Sequence, residues 1–184
     1  VELFIPKKSE MTRIVAGLLK NRVIRHGNQL DFRPTQEKIR NALFNILGDL
    51  TDKTVADLYA GTGSLGFEAL SRGARHCTFV EADKQTAAQI QENIVTLKLS
   101  EQATVLGIDV LKFLSSRPRF DLLLADPPYD FPAYESLFQQ LDQLDSGVTT
   151  VIETSQRFTT PDFFLPWLKD VRQFGETRLN FYRK

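Results

Sequence analysis

Asp57-Leu58-Tyr59-Ala60-Gly61-Thr62-Gly63-Ser64-Leu65-Gly66 joins the β-prone run Val55–Tyr59 to a helical segment, Leu65–Ser71. A strand feeding a glycine turn and then a helix is the opening unit of a parallel, doubly wound sheet. Gly61 and Gly63 permit backbone angles that a Cβ forbids, and Gly66 permits close helix–strand packing. With Tyr59, Ala60 and Thr62 they form a turn whose main chain a ligand can approach. Glu81, 20 residues after Gly61, ends the next strand, where a carboxylate can accept bonds from both hydroxyls of a ribose. Glycines and acid alone fit a nicotinamide dinucleotide equally well. Asp57 shifts the balance, because a carboxylate four residues before Gly61 repels a pyrophosphate and attracts an ammonium. The turn also lies behind about fifty residues of other sequence instead of opening the chain.

Working outward, strands and helices alternate. His76–Glu81, Ala103–Leu106, Phe120–Ala125 and Thr149–Glu153 read as further strands. Lys84–Leu97, Val110–Leu114 and Tyr134–Leu144 read as the helices between them, and Phe163–Trp167 as a short helix or turn. The apolar run within Phe120–Ala125 suits a strand covered on both faces. Val171–Phe174 and Thr177–Arg183, around Gly175-Glu176, read as an antiparallel hairpin. The expected fold is therefore α/β, a Rossmann-like, mainly parallel seven-stranded sheet over residues 51–184, closed by that hairpin. Ahead of it, residues 1–11 read as a tail and 12–50 as an N-terminal extension. There, Thr12–Ala16 and Arg22–His26 form a hairpin around Gly17–Asn21, and Thr35 caps a helix over Gln36–Leu47 that stops at Gly48.

The 184 residues suit one domain, and Lys+Arg 23 balance Asp+Glu 23. No apolar run approaches the roughly 20 residues that span a bilayer, so no membrane partner is expected. The single cysteine, Cys77, excludes an internal disulfide and a cysteine-rich zinc site. His26 and His76 lack metal-ligand spacing, so no metal site is expected. With no signal-peptide pattern, a cytoplasmic monomer is the default. The neutral total hides an asymmetry: residues 1–48 hold nine Lys and Arg against four Asp and Glu. A basic end on a neutral protein suits a polyanion met by one face.

The sharpest chemical signal is Asp126-Pro127-Pro128-Tyr129, directly after the fourth strand. An exocyclic amine on a base is a poor nucleophile because its lone pair is delocalised into the ring. A carboxylate (Asp126) and a carbonyl (Pro127) can hold its two N–H bonds and favour a pyramidal nitrogen. The prolines (Pro127, Pro128) fix φ and remove competing donors, while Tyr129 can stack on an extruded base. Such catalysis is positioning and electrostatics. Asp109, after the third strand, can take an adenine amino group while the Val110 amide meets a ring nitrogen, or it can simply cap the helix behind it. Glu153 ends the fifth strand, in a direction that the sequence leaves open.

Arg33-Pro34-Thr35 before a helix ending Leu43-Phe44-Asn45, the turn D-L-Y-A-G-T-G-S-L-G-F-E-A-L-S-R-G, and D-P-P-Y together resemble the bacterial small-subunit ribosomal RNA guanine-N2 methyltransferase family. The likeness runs from about Thr12 to Lys184 and includes Phe174-Gly175-Glu176-Thr177 and Phe181-Tyr182. It implies S-adenosylmethionine as methyl donor and a guanine of 16S rRNA as acceptor, within an assembled or assembling small subunit. It places cofactor contacts at Asp57, Tyr59, Ala60, Gly61, Thr62, Gly63, Glu81, Asp109 and Val110, with Asp126–Tyr129 as reaction site. It also implies an RNA-facing extension, to which Arg13, Lys20, Arg22, Arg33, Pro34, Thr35 and Arg40 are assigned.

Other substrates with planar, delocalised nitrogens, adenine N6 of DNA or a protein glutamine amide, use the same D-P-P-Y chemistry. No insertion fits a DNA-recognition domain, and the basic N-terminus disfavours a protein substrate. A nicotinamide oxidoreductase would give Asp126–Tyr129 no task. A non-catalytic RNA-binding module would not need intact carboxylates and glycines at every site position.

Overall fold

The computed structural model describes residues 11–26, 34–128 and 130–184, with Pro34 and Thr35 described by backbone alone. Residues 1–10 of the expected tail (1–11), Arg33 and Tyr129 lie outside the described residues, while Met11 belongs to a strand and not to the tail. Two short strands, β1 (Met11–Arg13) and β2 (Val23–Arg25), pair antiparallel, with Thr12 opposite Ile24. Helix α1 spans Pro34–Leu47 and so begins two residues before the expected start. Thr35 therefore lies inside the first turn instead of capping it; Pro34, with its fixed φ and no N–H, suits the opening position.

The main sheet follows as β3 (Thr54–Leu58), α2 (Ser64–Ser71), β4 (His76–Val80), α3 (Lys84–Leu97), β5 (Ala103–Leu106), α4 (Val110–Leu114), β6 (Leu122–Ala125), α5 (Tyr134–Asp142) and β7 (Thr149–Ser155). A 3₁₀ turn, Asp162–Trp167, leads into β8 (Leu168–Phe174) and β9 (Thr177–Arg183). The seven strands lie in the order β5-β4-β3-β6-β7-β9-β8. β3 to β7 run parallel, and β9 enters antiparallel between β7 and β8. Closing on a hairpin is what the sequence predicts. The chain winds outward from β3 in one direction and resumes at β6 in the other, so the crevice at their carboxyl ends is the topological switch point where ligands bind in such sheets.

Each face of the sheet has its own core. Val55, Leu122, Leu124 and Val151 pack with Phe67, Phe79 and Ile94, and the same cluster takes in Ile14, Ile24, Ile39, Leu43 and Phe44 from the N-terminal segment. Leu58, Leu123, Ala125 and Ile152 face Leu114, Phe138 and Tyr182. The N-terminal hairpin is thus fastened to the sheet domain by shared apolar burial.

Polar clamps fix its position. Glu68, fully buried in α2, accepts the N–H groups of Val15 at 2.7 Å and Ala16 at 3.0 Å, and Arg72 Nε at 2.8 Å. Ser71 accepts Leu18 N–H on its carbonyl and Leu19 N–H on its hydroxyl, and its hydroxyl in turn donates to Ala16 O. Asn93 of α3 exchanges two bonds with the Arg25 backbone.

Candidate active site

Local packing explains the turn after β3. Gly63 sits at φ +76° immediately before α2, and a Cβ there would come within 2.8 Å of the Phe67 ring. At Gly66 a Cβ would stand 2.3 Å from Phe79 Cε1 and 2.7 Å from Cys77 Sγ, so α2 can lie against β4 only without one. Glu81 joins the turn to the next strand: Oε2 accepts Gly61 N–H at 2.9 Å and Oε1 accepts Asp83 N–H at 2.9 Å. Its remaining lone pairs stay available at a half-buried position.

Asp57 departs from expectation. It does not line the crevice wall: it is 1% exposed, and Oδ2 accepts Gly66 N–H at 2.8 Å, which holds the turn from below. Burial pushes its pKa well above the usual carboxylate range, opposed by the Gly66 bond and reinforced by the charges of Asp126 and Glu81. In this structure it positions the turn from below.

Tyr59 has φ +56°, a strained value for a side-chain-bearing residue, as the chain leaves β3. Its ring meets Phe131 edge-on, with centroids 5.2 Å apart. The hydroxyl is buried without a hydrogen-bond partner among the described residues, and its pKa is raised by burial and by the Asp109 charge. Asp109 does cap α4, accepting Lys112 N–H on Oδ1 at 3.0 Å. It is nonetheless exposed at the crevice, and capping commits only one oxygen. Val110 opens α4, where helix geometry leaves the first N–H groups without an intrahelical acceptor. Ala60 is buried and Thr62 half-buried, its hydroxyl accepting Ser64 N–H at 3.2 Å.

Leu58 pairs with Ala125 across β3 and β6, and Asp126 N–H donates to Leu58 O at 3.4 Å. Asp126-Pro127-Pro128 thereby leaves the sheet one strand from the glycine turn. Asp126 opens to solvent at the crevice mouth, yet protein atoms crowd its carboxyl closely enough to raise its pKa. Glu153, on β7, is the residue whose direction the sequence could not give. Ala125 pairs with Ile152, so Glu153 leaves the β6–β7 ladder beside Asp126, and its half-buried carboxyl is raised first by burial and then by the Asp126 charge. Beyond them Phe131, Tyr134 and Phe158 form a row of rings at 5.3 Å and 4.5 Å centroid spacing. Phe131 and Tyr134 follow D-P-P-Y closely enough to have been noticed; Phe158 becomes their neighbour only through the fold.

The basic residues divide. Arg13, Lys20 and Arg22 are exposed on the hairpin. Arg40 is not available to RNA, which corrects the sequence assignment: it is 5% exposed, donates to Arg13 O at 2.7 Å and stands 3.8 Å from Glu68. An arginine on the core side of an amphipathic helix needs a buried carboxylate, and Glu68 provides it. The hairpin turn is tied to Ser71 at the far end of α2, about 12 Å along the helix from the glycine turn. Lys20 therefore lies at the opposite end of α2 from the site.

Among the described residues there is no cluster that could hold a metal ion, and no helix is long and apolar enough to cross a membrane.

A seven-stranded sheet with one reversed strand, a glycine turn at the switch point and an acidic crevice beside it define the class: a Rossmann-like methyltransferase. The chain belongs to the family described as Conserved hypothetical protein 95, whose profile matches residues 12–183. It is 38% identical over 159 residues to the ribosomal RNA small subunit methyltransferase D of Haemophilus influenzae, covering 82% of each chain. It is 33% identical to the putative rRNA methyltransferase YlbH of Bacillus subtilis, over 71% of this chain and 74% of that one. In structure it is similar to the putative methyltransferase yhhF from Escherichia coli, with a TM-score of 0.85 and 28% identity over 95% of this chain and 98% of the other.

Proposed function

We propose that the chain transfers a methyl group from S-adenosylmethionine to the exocyclic N2 amine of a guanine in 16S rRNA of the small ribosomal subunit. The observation that carries this reading is the meeting of two acceptor groups, Asp126 and the Pro127 carbonyl, with the glycine turn across the β3–β6 pair.

The crevice fits that cofactor. Its titratable lining (Glu81, Asp109, Asp126, Glu153) is acidic, which suits a cationic, hydroxyl-bearing ligand and disfavours a pyrophosphate. The unpartnered Tyr59 hydroxyl adds a buried polar atom that a ligand can satisfy. Glu81 would hold the ribose hydroxyls, Asp109 and the Val110 N–H the adenine edge, and the Gly61–Gly63 main chain the remainder. When bound, S-adenosylmethionine supplies a methyl group activated by its sulfonium. The chain's own residues do the rest: Asp126 and Pro127 accept the amine's N–H bonds and orient its lone pair, and Asp126 can take the proton released as the new bond forms. No covalent enzyme intermediate is needed.

Residues 12–50 serve as the RNA-facing extension, with Arg13, Lys20 and Arg22 meeting phosphates. Arg33, Pro34, Thr35 and Tyr129 keep the roles that the family resemblance implies. The enzyme acts as a monomer in the cytoplasm, where small subunits are assembled. Mapping methylated nucleotides in 16S rRNA from cells lacking the gene tests the function. One N2-methylguanine should disappear; an intact 16S pattern would overturn the proposal.

A further inference from the structure

Resting on the function just proposed, we infer that Glu153 selects guanine, its carboxyl accepting the N1–H of the base whose N2 amine is held by Asp126 and Pro127.

The placement follows from register. Ala125 pairs with Ile152 in the parallel β6–β7 ladder, so the next residues, Asp126 and Glu153, leave that pair as neighbours. Adjacent strands lie about 4.8 Å apart, a separation that puts two carboxyls along one edge of a single base. The β7 side is rigid. Glu153 is paired with Leu179 of β9, and Asn180 Nδ2 braces both flanks, donating to Ile152 O at 3.2 Å and Thr154 Oγ1 at 2.9 Å. Asn180 is itself buried.

The chemistry of the two purines separates at this point. Guanine presents N1–H beside its N2 amine, an unbroken run of donors. Adenine presents a lone pair at N1 beside its N6 amine. Asp126, the Pro127 carbonyl and Glu153 are all acceptors, and a carboxyl keeps an acceptor oxygen whether ionised or not. Against guanine every group finds a donor; against adenine an ionised Glu153 meets a lone pair, and because burial and the Asp126 charge keep Glu153 protonated up to about pH 8, the discrimination develops above that pH. Among the described residues no Lys or Arg charge offsets Asp126 and Glu153, and each is held above the ordinary carboxylate range. A donor-rich base edge relieves that mutual repulsion.

The test uses the whole protein and small subunits reconstituted with 16S rRNA carrying either guanine or 2-aminopurine at the mapped position. 2-Aminopurine keeps the 2-amino group but lacks N1–H. Above about pH 8, where Glu153 is ionised, wild-type protein should favour guanine in kcat/KM by on the order of tenfold to a hundredfold, the range expected for one lost buried hydrogen bond. Glu153→Gln can turn its amide to donate to the 2-aminopurine N1, and should bring the two rates close together or invert them. Glu153→Ala, which neither accepts nor donates, should narrow the ratio as well. Equal wild-type rates on the two bases, or a preference unchanged in either variant, overturn the assignment. Equal wild-type rates above about pH 8 overturn the assignment even if neither variant folds, whereas a preference that narrows in a folded variant traces it to Glu153 and not to guanine O6. Should wild-type protein label neither subunit, the methyl-transfer function itself falls, and this assignment with it.

Discussion

Glu68 Oε2, fully buried in α2, accepts the Val15 main-chain N–H at 2.7 Å, tying the N-terminal hairpin to the helix that follows the glycine turn. The same carboxylate receives Arg72 and faces the buried Arg40. Removing one partner of a buried ionic group strands the others, so Glu68→Ala should destabilise the fold by about 3–5 kcal/mol. Urea unfolding measures this, and a change below about 0.5 kcal/mol, the scale of an ordinary surface substitution, would remove Glu68 from that role.

Arg40 and the hairpin cations should separate experimentally. Lys20→Ala with Arg22→Ala should leave the unfolding midpoint near wild type while weakening RNA binding and flattening its dependence on salt, because each lost phosphate contact releases fewer counterions. Arg40→Ala should do the reverse, lowering stability with little effect on the salt slope. Filter binding at several salt concentrations beside thermal unfolding distinguishes them; equal slopes for wild type and the Lys20/Arg22 variant would take the hairpin out of the interface.

Gly66→Ala forces a methyl group onto Phe79 and Cys77. Overpacking of this kind costs about 1–3 kcal/mol, and shifting α2 also moves the Gly66 N–H away from Asp57. The expected result is a lower melting temperature together with weaker S-adenosylmethionine binding by calorimetry. Unchanged values for both would show that the turn tolerates a Cβ.

The Asp126–Glu153 pair predicts a pH dependence. Both groups hold protons to higher pH in the folded chain than in the unfolded one, where carboxyls titrate near pH 4. The folded state therefore binds more protons between about pH 4 and about pH 8, and stability falls as the pH rises through that window. Glu153→Gln removes one of the two charges. Its melting temperature should exceed wild type at pH 8 and converge with it below about pH 4, where both forms are neutral. A difference independent of pH would mean that Glu153 does not titrate against Asp126.

The alternation of strands and helices, the glycine turn and the closing hairpin were legible because each rests on local pattern: period, turn residues and apolar runs. The packing role of Gly66 was legible for the same reason, since a glycine opening a helix beside a strand has few other uses. Side-chain direction was not. Arg40 reads as one more cation in a basic segment, and only the burial of α1 against Glu68 turns it inward. Asp57 reads as a crevice carboxylate, but the turn folds over it. Glu153 could not be aimed before the β6–β7 register put it beside Asp126.

Methyl transfer from tritiated S-adenosylmethionine, offered in parallel to small ribosomal subunits, naked rRNA, DNA and release-factor protein, tests the central claim most directly. The account predicts label in small-subunit RNA, recovered as N2-methylguanosine, with a loss of about 10²-fold or more for Asp126→Ala at nearly unchanged cofactor affinity. Label confined to DNA or protein, or recovered as N6-methyladenine, would contradict it.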